Sequence, residues 1–208
     1  MLPRPALRYV ALGDSYTIGT SVDGAERWPD RLVARLAAED VGLELVANLA
    51  VNGWTSGDVL ARQLPRLPAL RPDFVSLLIG VNDVVQGVPA ERYGANVAAL
   101  LDALVALVPR AGILTVSTPN YTVTPAGADY GDPDQQAAAI GAFNAVLAEA
   151  ARARSITHVD IHDISLRARD ERELVADDGL HPSGAQYALW VERIAPVMAA
   201  LLGRTGPG

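Results

Sequence analysis

Short apolar runs alternate along this chain with longer stretches in which apolar residues recur every three to four positions. The short runs, residues 7–12, 43–49, 74–79, 112–116 and 157–161, predict strands, because a strand buried on both faces reads as a continuous apolar segment. The longer stretches predict helices over residues 28–39, 55–67, 90–108, 133–152 and 183–202. Pro65 and Pro68 limit the second of these, since proline lacks the N–H that a helix interior needs. In the third, Val97, Leu100, Leu101, Leu104 and Val108 form one buried stripe. Strand and helix in strict alternation describe βαβ units, and therefore an α/β fold: a three-layer α/β/α sandwich around a five-stranded parallel sheet. No internal repeat and no linker interrupts the pattern, so residues 1–208 are expected to form one domain.

Composition narrows the function. Half of the 208 residues are hydrophobic and a fifth are charged, which excludes a disordered chain. The net charge is -7, and the 17 basic residues, all arginine, are dispersed along the sequence. Neither a nucleic-acid backbone nor an anionic membrane finds a basic face here. The absence of lysine excludes Schiff-base and P-loop chemistry, and the absence of cysteine excludes thiolate nucleophiles and thiolate metal sites. The opening residues carry arginine and two prolines and pass directly into the first strand, so no signal peptide is expected. The most apolar segment, residues 97–108, is broken by Asp102 and is too short to span a bilayer. A cytoplasmic protein without a transmembrane segment is the expectation.

Reactive side chains cluster where strands end. Gly13-Asp14-Ser15-Tyr16 follows the first strand. Ser15 is thereby expected at the carboxyl edge of the sheet, where helix-start amides stabilise a developing anion. A serine needs a base, and the chain has three histidines. His158 alternates with apolar residues in the last strand and His162 lies just beyond it, which suits structural roles; a metal corner at Asp160-Ile161-His162-Asp163 lacks a second histidine. His181 stands in the loop Asp178-Gly179-Leu180-His181-Pro182-Ser183 before the final helix, and Asp178 can accept its imidazole N–H. Spacing alone leaves Asp177 open as the carboxylate.

An oxyanion needs donors. After the third strand, Gly80-Val81-Asn82-Asp83 offers the Asn82 amide, and after the second, Asn52-Gly53-Trp54 offers a glycine N–H free of steric hindrance. Tyr16 and Trp54 beside these positions, and Tyr121 in the irregular segment 118–132, are candidate substrate-binding residues. A segment of that length, with Pro119, Pro125, Gly127, Gly131 and Tyr130, is expected to be a binding loop or lid.

In these four ordered signatures, from Ala11-Leu12-Gly13-Asp14-Ser15 to Asp178-Gly179-Leu180-His181-Pro182, the sequence resembles the SGNH hydrolases, the superfamily of GDSL-type esterases and lipases. The resemblance implies a flavodoxin-like five-stranded sheet and a catalytic triad of Ser15, Asp178 and His181, which selects Asp178 over Asp177. It also implies an oxyanion hole of the Ser15 N–H, the Gly53 N–H and the Asn82 side chain. Hydrolysis of small-molecule carboxylic esters with short to medium acyl chains, without metal or cofactor, is the implied activity. Lysophospholipases, thioesterases, carbohydrate acetyl esterases and acyltransferases use the same triad; a noncatalytic binding module on the same fold is the alternative of another class. Tyr16 departs from the usual leucine, a change that leaves the chemistry intact and reshapes the acyl pocket. Thr17 occupies the second glycine of a G-x-S-x-G elbow, which disfavours an ordinary α/β-hydrolase.

Overall fold

The computed structural model describes residues 6–204 except residue 40, with no side-chain detail for residue 204. The opening segment, residues 1–5, lies outside them. Five parallel strands form one sheet in the order β2-β1-β3-β4-β5: β1 Leu7–Gly13, β2 Leu43–Asn48, β3 Phe74–Leu78, β4 Ile113–Val116 and β5 Thr157–Val159. All four pairings are parallel. Nine α-helical segments accompany them among the described residues. In chain order they are α1 Ser15–Ile18, α2 Trp28–Ala37, α3 Ser56–Asp58, α4 Leu67–Leu70, α5 Val81–Val85, α6 Ala90–Leu107, α7 Pro133–Ala153, α8 His162–Leu166 and α9 Gly184–Arg204. Helix α2 packs against α9, and α6 against α7, so helices cover the sheet in two layers.

The strands take this place because their side chains have nowhere else to go. Every residue of β3 and β4 is buried, which a sheet covered on both faces permits. The few polar groups inside are paired across strands: Tyr9 bonds Ser76 between β1 and β3 at 2.7 Å, and Thr115 meets His158 Nδ1 between β4 and β5 at 3.0 Å. Burial pushes the His158 imidazole pKa down. The expected stripe on α6 is buried, with Tyr93 extending it one turn. Helix α7 starts with Asp132, whose side chain accepts the Gln135 N–H at 2.9 Å, and with Pro133 in the first turn, where its missing N–H costs nothing.

Three sequence expectations are corrected. The helix expected over residues 55–67 is broken: α3 is followed by a π-turn, Val59–Gln63, a 3₁₀ turn, Leu64–Arg66, and α4. Pro65 and Pro68 remove the donors that would continue an α-helix, and the Leu64 N–H reaches back five residues to Val59 O. Gly112 belongs to a 3₁₀ turn and not to β4. Strand β5 stops at Val159 because Ser117 Oγ accepts the Ile161 N–H at 2.8 Å, a side chain standing where a strand partner would be.

The strand order places a switch point between β1 and β3. From β1 the chain moves outward one way to β2, then returns across β1 to build β3, β4 and β5 on the other side. The loops after β1 and β3 therefore diverge, and a crevice opens at the carboxyl edge between them.

Candidate active site

The turn after β1 is closely determined. The Asp14 side chain accepts the Tyr16 N–H at 3.0 Å and so caps α1, which Gly19 closes at φ +72°. Gly13 adopts φ +154°, and a Cβ there would stand 2.4 Å from Leu78 O and 2.5 Å from Thr17 Oγ1. Only glycine fits so close to β3. On the far side of the turn, Asn48 Nδ2 donates to Thr17 O at 2.8 Å. Ser15 is thereby held at the mouth of the crevice, nearly buried.

Beyond β3, Asn82 lies in the first turn of α5, and one of its two amide hydrogens goes to Trp54 O at 3.0 Å. The second is left for the cavity. The two loops are tied together below this bond. Asp83 accepts the Ser56 N–H at 2.8 Å and the Ser56 hydroxyl at 2.5 Å, and Asn96 Nδ2 donates to Ser56 Oγ at 3.0 Å. Gly53 takes φ +81°, a left-handed conformation that glycine adopts without strain, and its carbonyl accepts from Gln86 Nε2 at 3.0 Å. Among the described residues, neither the Ser15 N–H nor the Gly53 N–H makes a hydrogen bond.

His181 arrives from the opposite end of the chain. Its Nδ1–H donates to Asp178 Oδ2 at 2.6 Å, which leaves Nε2 as the free ring nitrogen. Asp178 Oδ1 accepts the Leu180 and His181 N–H groups, each at 2.9 Å, and Oδ2 also accepts the Ser21 hydroxyl at 2.6 Å. Partial burial raises the carboxyl pKa, but these bonds outweigh it and hold Asp178 well below the usual carboxylate range. Asp178 is a carboxylate at any working pH. Gly179, at φ +75°, turns the loop, and its carbonyl accepts the Ala126 N–H at 3.0 Å, which fastens the loop to segment 118–132.

Ser15, Tyr16, Asn82, Tyr121 and His181 line one cavity of about 140 Å³ together with Asn52, Val81, Val85, Tyr130 and Leu180. Of the expected site residues, Gly53 directly follows the lining residue Asn52, and Asp178 stands behind His181. Trp54 is not among the lining residues; its indole lies beneath the Arg62 guanidinium, 5.6 Å from ring centroid to charge centre. The Tyr16 ring sits 5.6 Å from that of His181, so the residue beside Ser15 also packs on the imidazole.

Segment 118–132 is tied to the body of the protein and contributes Tyr121 and Tyr130 to the cavity lining. Two 3₁₀ turns organise it, and Asn144 clasps Thr118 through both its N–H, at 2.7 Å, and its carbonyl, at 2.8 Å. Tyr121 is buried, donates to Gln136 at 2.9 Å, and meets Tyr130 edge to face at 5.7 Å, leaving Tyr130 partly exposed at the rim. Desolvation and Tyr130 push the Tyr121 hydroxyl up to about 12, so it remains a neutral donor.

A sequence profile of the GDSL-like lipase/acylhydrolase family matches residues 11–189. The chain belongs to this family. Its ester-bond chemistry fits the convergence of serine, imidazole and amide in one crevice. An arylesterase of Vibrio mimicus is 29% identical over 98 residues, covering 45% of this chain. That match spans 46% of the arylesterase's own length. Among solved structures, an acetylxylan esterase of Geobacillus stearothermophilus superposes with a TM-score of 0.73 at 22% identity, over 98% of this chain and 97% of that one. An esterase of a Pseudoalteromonas species, inhibited by monoethylphosphonate, superposes with a TM-score of 0.72 at 21% identity, over 94% and 98% of the two chains. These likenesses establish the fold. Among the described residues, no group of three or more histidine, aspartate and glutamate side chains could hold a metal ion, and no helix is long and apolar enough to cross a membrane.

The lining residues Asn52, Val81, Val85 and Leu180 had no site role expected from the sequence, nor did Ser21, which bonds the carboxylate behind His181; Tyr130, named within the expected binding loop, lines the cavity too. Ser21 carried no signal: it is a non-glycine residue at φ +66°, a conformation that side chains rarely adopt and that the sequence does not announce.

Proposed function

We propose that this GDSL-family chain hydrolyses carboxylic esters of short acyl groups through an acyl-enzyme on Ser15. The observation that carries this reading is the shared cavity: Ser15, Asn82 and His181, brought from three distant segments, line one small space, with His181 oriented by Asp178. His181 Nε2 takes the hydroxyl proton as Ser15 Oγ attacks the ester carbonyl, and the imidazolium formed is stabilised by the Asp178 carboxylate. The Ser15 and Gly53 N–H groups and the second Asn82 amide hydrogen face the negative charge that develops on the carbonyl oxygen. The imidazolium then returns its proton to the departing alcohol. Water repeats the sequence on the acyl-enzyme and releases the acid. No group beyond these side chains is required.

The cavity sets the acyl length. A space of about 140 Å³ is comparable to cavities of ~150 Å³ that hold benzene, and so takes an acyl group of roughly six non-hydrogen atoms. Val81, Val85 and Leu180 make it apolar enough for a hydrocarbon tail. The acetyl group in the name of the Geobacillus neighbour is in keeping with a small acyl site. The test is a series of p-nitrophenyl esters from acetate to palmitate. The expected kcat/KM is highest at acetate to butyrate and falls from octanoate onward, and Ser15→Ala abolishes turnover across the series. A maximum at octanoate or longer overturns the short-acyl assignment; turnover retained in Ser15→Ala overturns the nucleophile.

A further inference from the structure

On its β2 side, strand β1 lacks a strand partner at its last residue, Gly13, which on the other side pairs with Leu78 of β3. Its ladder to β2 ends with Ala11 opposite Asn48, and the Leu49 N–H still reaches Ala11 O at 2.9 Å before the chain turns away. Gly13, two residues further along, has only one long main-chain contact on this side, from the Val51 N–H at 3.4 Å. A side chain fills the gap. Gln63 Oε1 accepts the Gly13 N–H at 3.0 Å, and Gln63 Nε2 donates to Gly13 O at 2.7 Å. The primary amide thus repeats the donor and acceptor of a missing strand residue, in a buried setting where the other bond on this side is the long one from the Val51 N–H to Gly13 O. It is delivered by the π-turn Val59–Gln63, a local departure from helical geometry of the kind that recurs at functional sites.

We infer that Gln63 is a positioning residue for Ser15: its amide fixes the Gly13 backbone on one side of the nucleophile turn, as Asn48 fixes Thr17 on the other, and so sets where the Ser15 hydroxyl and N–H stand in the cavity. This rests on the proposed function. Gln63 touches neither the cavity nor Asp178 or His181, so its effect on catalysis passes only through the turn. Misplacement of a reacting group by about 1 Å costs on the order of 10²-fold in rate, and loss of the clamp should accordingly lower kcat by roughly 10- to 100-fold with KM little changed.

Two variants test this. Gln63→Leu removes both bonds, leaving the buried Gly13 N–H unpaired and Gly13 O with only the long Val51 contact, so it is at risk of not folding. Gln63→Glu keeps the shape: when protonated its carboxyl can both donate and accept, and when ionised it can only accept, facing Gly13 O with no proton to give. Each variant is compared with the wild type for kcat and KM on p-nitrophenyl acetate from pH 5.5 to 9, at a temperature where melting curves show the variant folded. Asp14 follows Gly13 directly and couples to a carboxylate at position 63, so the comparison is repeated in the Asp14→Asn background, where that carboxyl cannot titrate and the same falling ratio is expected. The expected result is a Gln63→Glu to wild-type kcat ratio that falls as pH rises, with KM within about 2-fold. A flat ratio near one in folded Gln63→Glu overturns the inference, because a merely structural glutamine would change the melting temperature and leave kcat alone. Wild-type hydrolysis that persists in Ser15→Ala is a different failure, sinking the proposed function and this inference with it.

Discussion

Asp14 offers a quantitative test of the nucleophile turn. Its carboxyl is fully buried, with one hydrogen bond, from the Tyr16 N–H to Oδ1, and no partner for Oδ2. Burial pushes its pKa up to about 8, the Tyr16 N–H pulls it back in part, and the nearby Asp83 adds to the rise. The unfolded chain ionises near 3.8, a gap of about 4 units. At ~1.36 kcal/mol per unit, keeping the proton is worth on the order of 5 kcal/mol. The sign follows from proton uptake. Between about pH 4 and pH 8 the folded state holds a proton that the unfolded state has lost, so this contribution is complete below pH 4, shrinks as pH rises and is gone above pH 8. Asp14→Asn retains the acceptor for the Tyr16 N–H and removes the titration. Urea unfolding of both proteins from pH 5 to pH 9 should therefore show the variant gaining relative stability by ~1.4 kcal/mol per pH unit up to about pH 8, then levelling. There is a catalytic counterpart: ionised Asp14 sets a negative charge beside the Ser15 N–H, so wild-type kcat should decline above pH 8 and that of Asp14→Asn should not. A stability difference that stays constant from pH 5 to pH 9 would refute a protonated Asp14.

Two further outcomes test the assigned roles. Asn82→Ala should lower kcat by ~10²- to 10³-fold, the effect of one oxyanion donor, with KM nearly unchanged; steady-state kinetics showing a near-wild-type kcat would remove Asn82 from the site. Asp178→Asn should keep the fold and lower kcat by roughly 10⁴-fold by presenting the wrong partner to His181 Nδ1, and a loss below about 10-fold would show that the carboxylate does not orient the base.

The sheet was legible because its strands are buried on both faces and so read as unbroken apolar runs, while the helices between them kept their three-four spacing. Ser15, Asn82 and His181 were legible because each follows a β-strand or precedes a helix, positions that the topology gathers at one edge. What escaped depends on partners remote in sequence. Nothing near Gln63 announces that its amide completes a strand 50 residues away, and nothing near Ser21 announces a bond to Asp178 across 157 residues. Trp54 read as a cavity residue because it adjoins Gly53, yet the turn sends its indole under Arg62 while only its carbonyl serves the site, as the acceptor for Asn82. The helix over residues 55–67 failed for a local reason: two prolines three apart permit a helical path but not one α-helical hydrogen-bond register.

The most direct measurement of an activated Ser15 is covalent capture. The native protein is treated with a fluorophosphonate, digested, and the modified peptide sequenced by mass spectrometry. One adduct on Ser15, absent from Ser15→Ala and slowed in Asn82→Ala, is the expected result; a native, folded protein that stays unmodified, or that carries its label on another residue, contradicts a nucleophile at this turn.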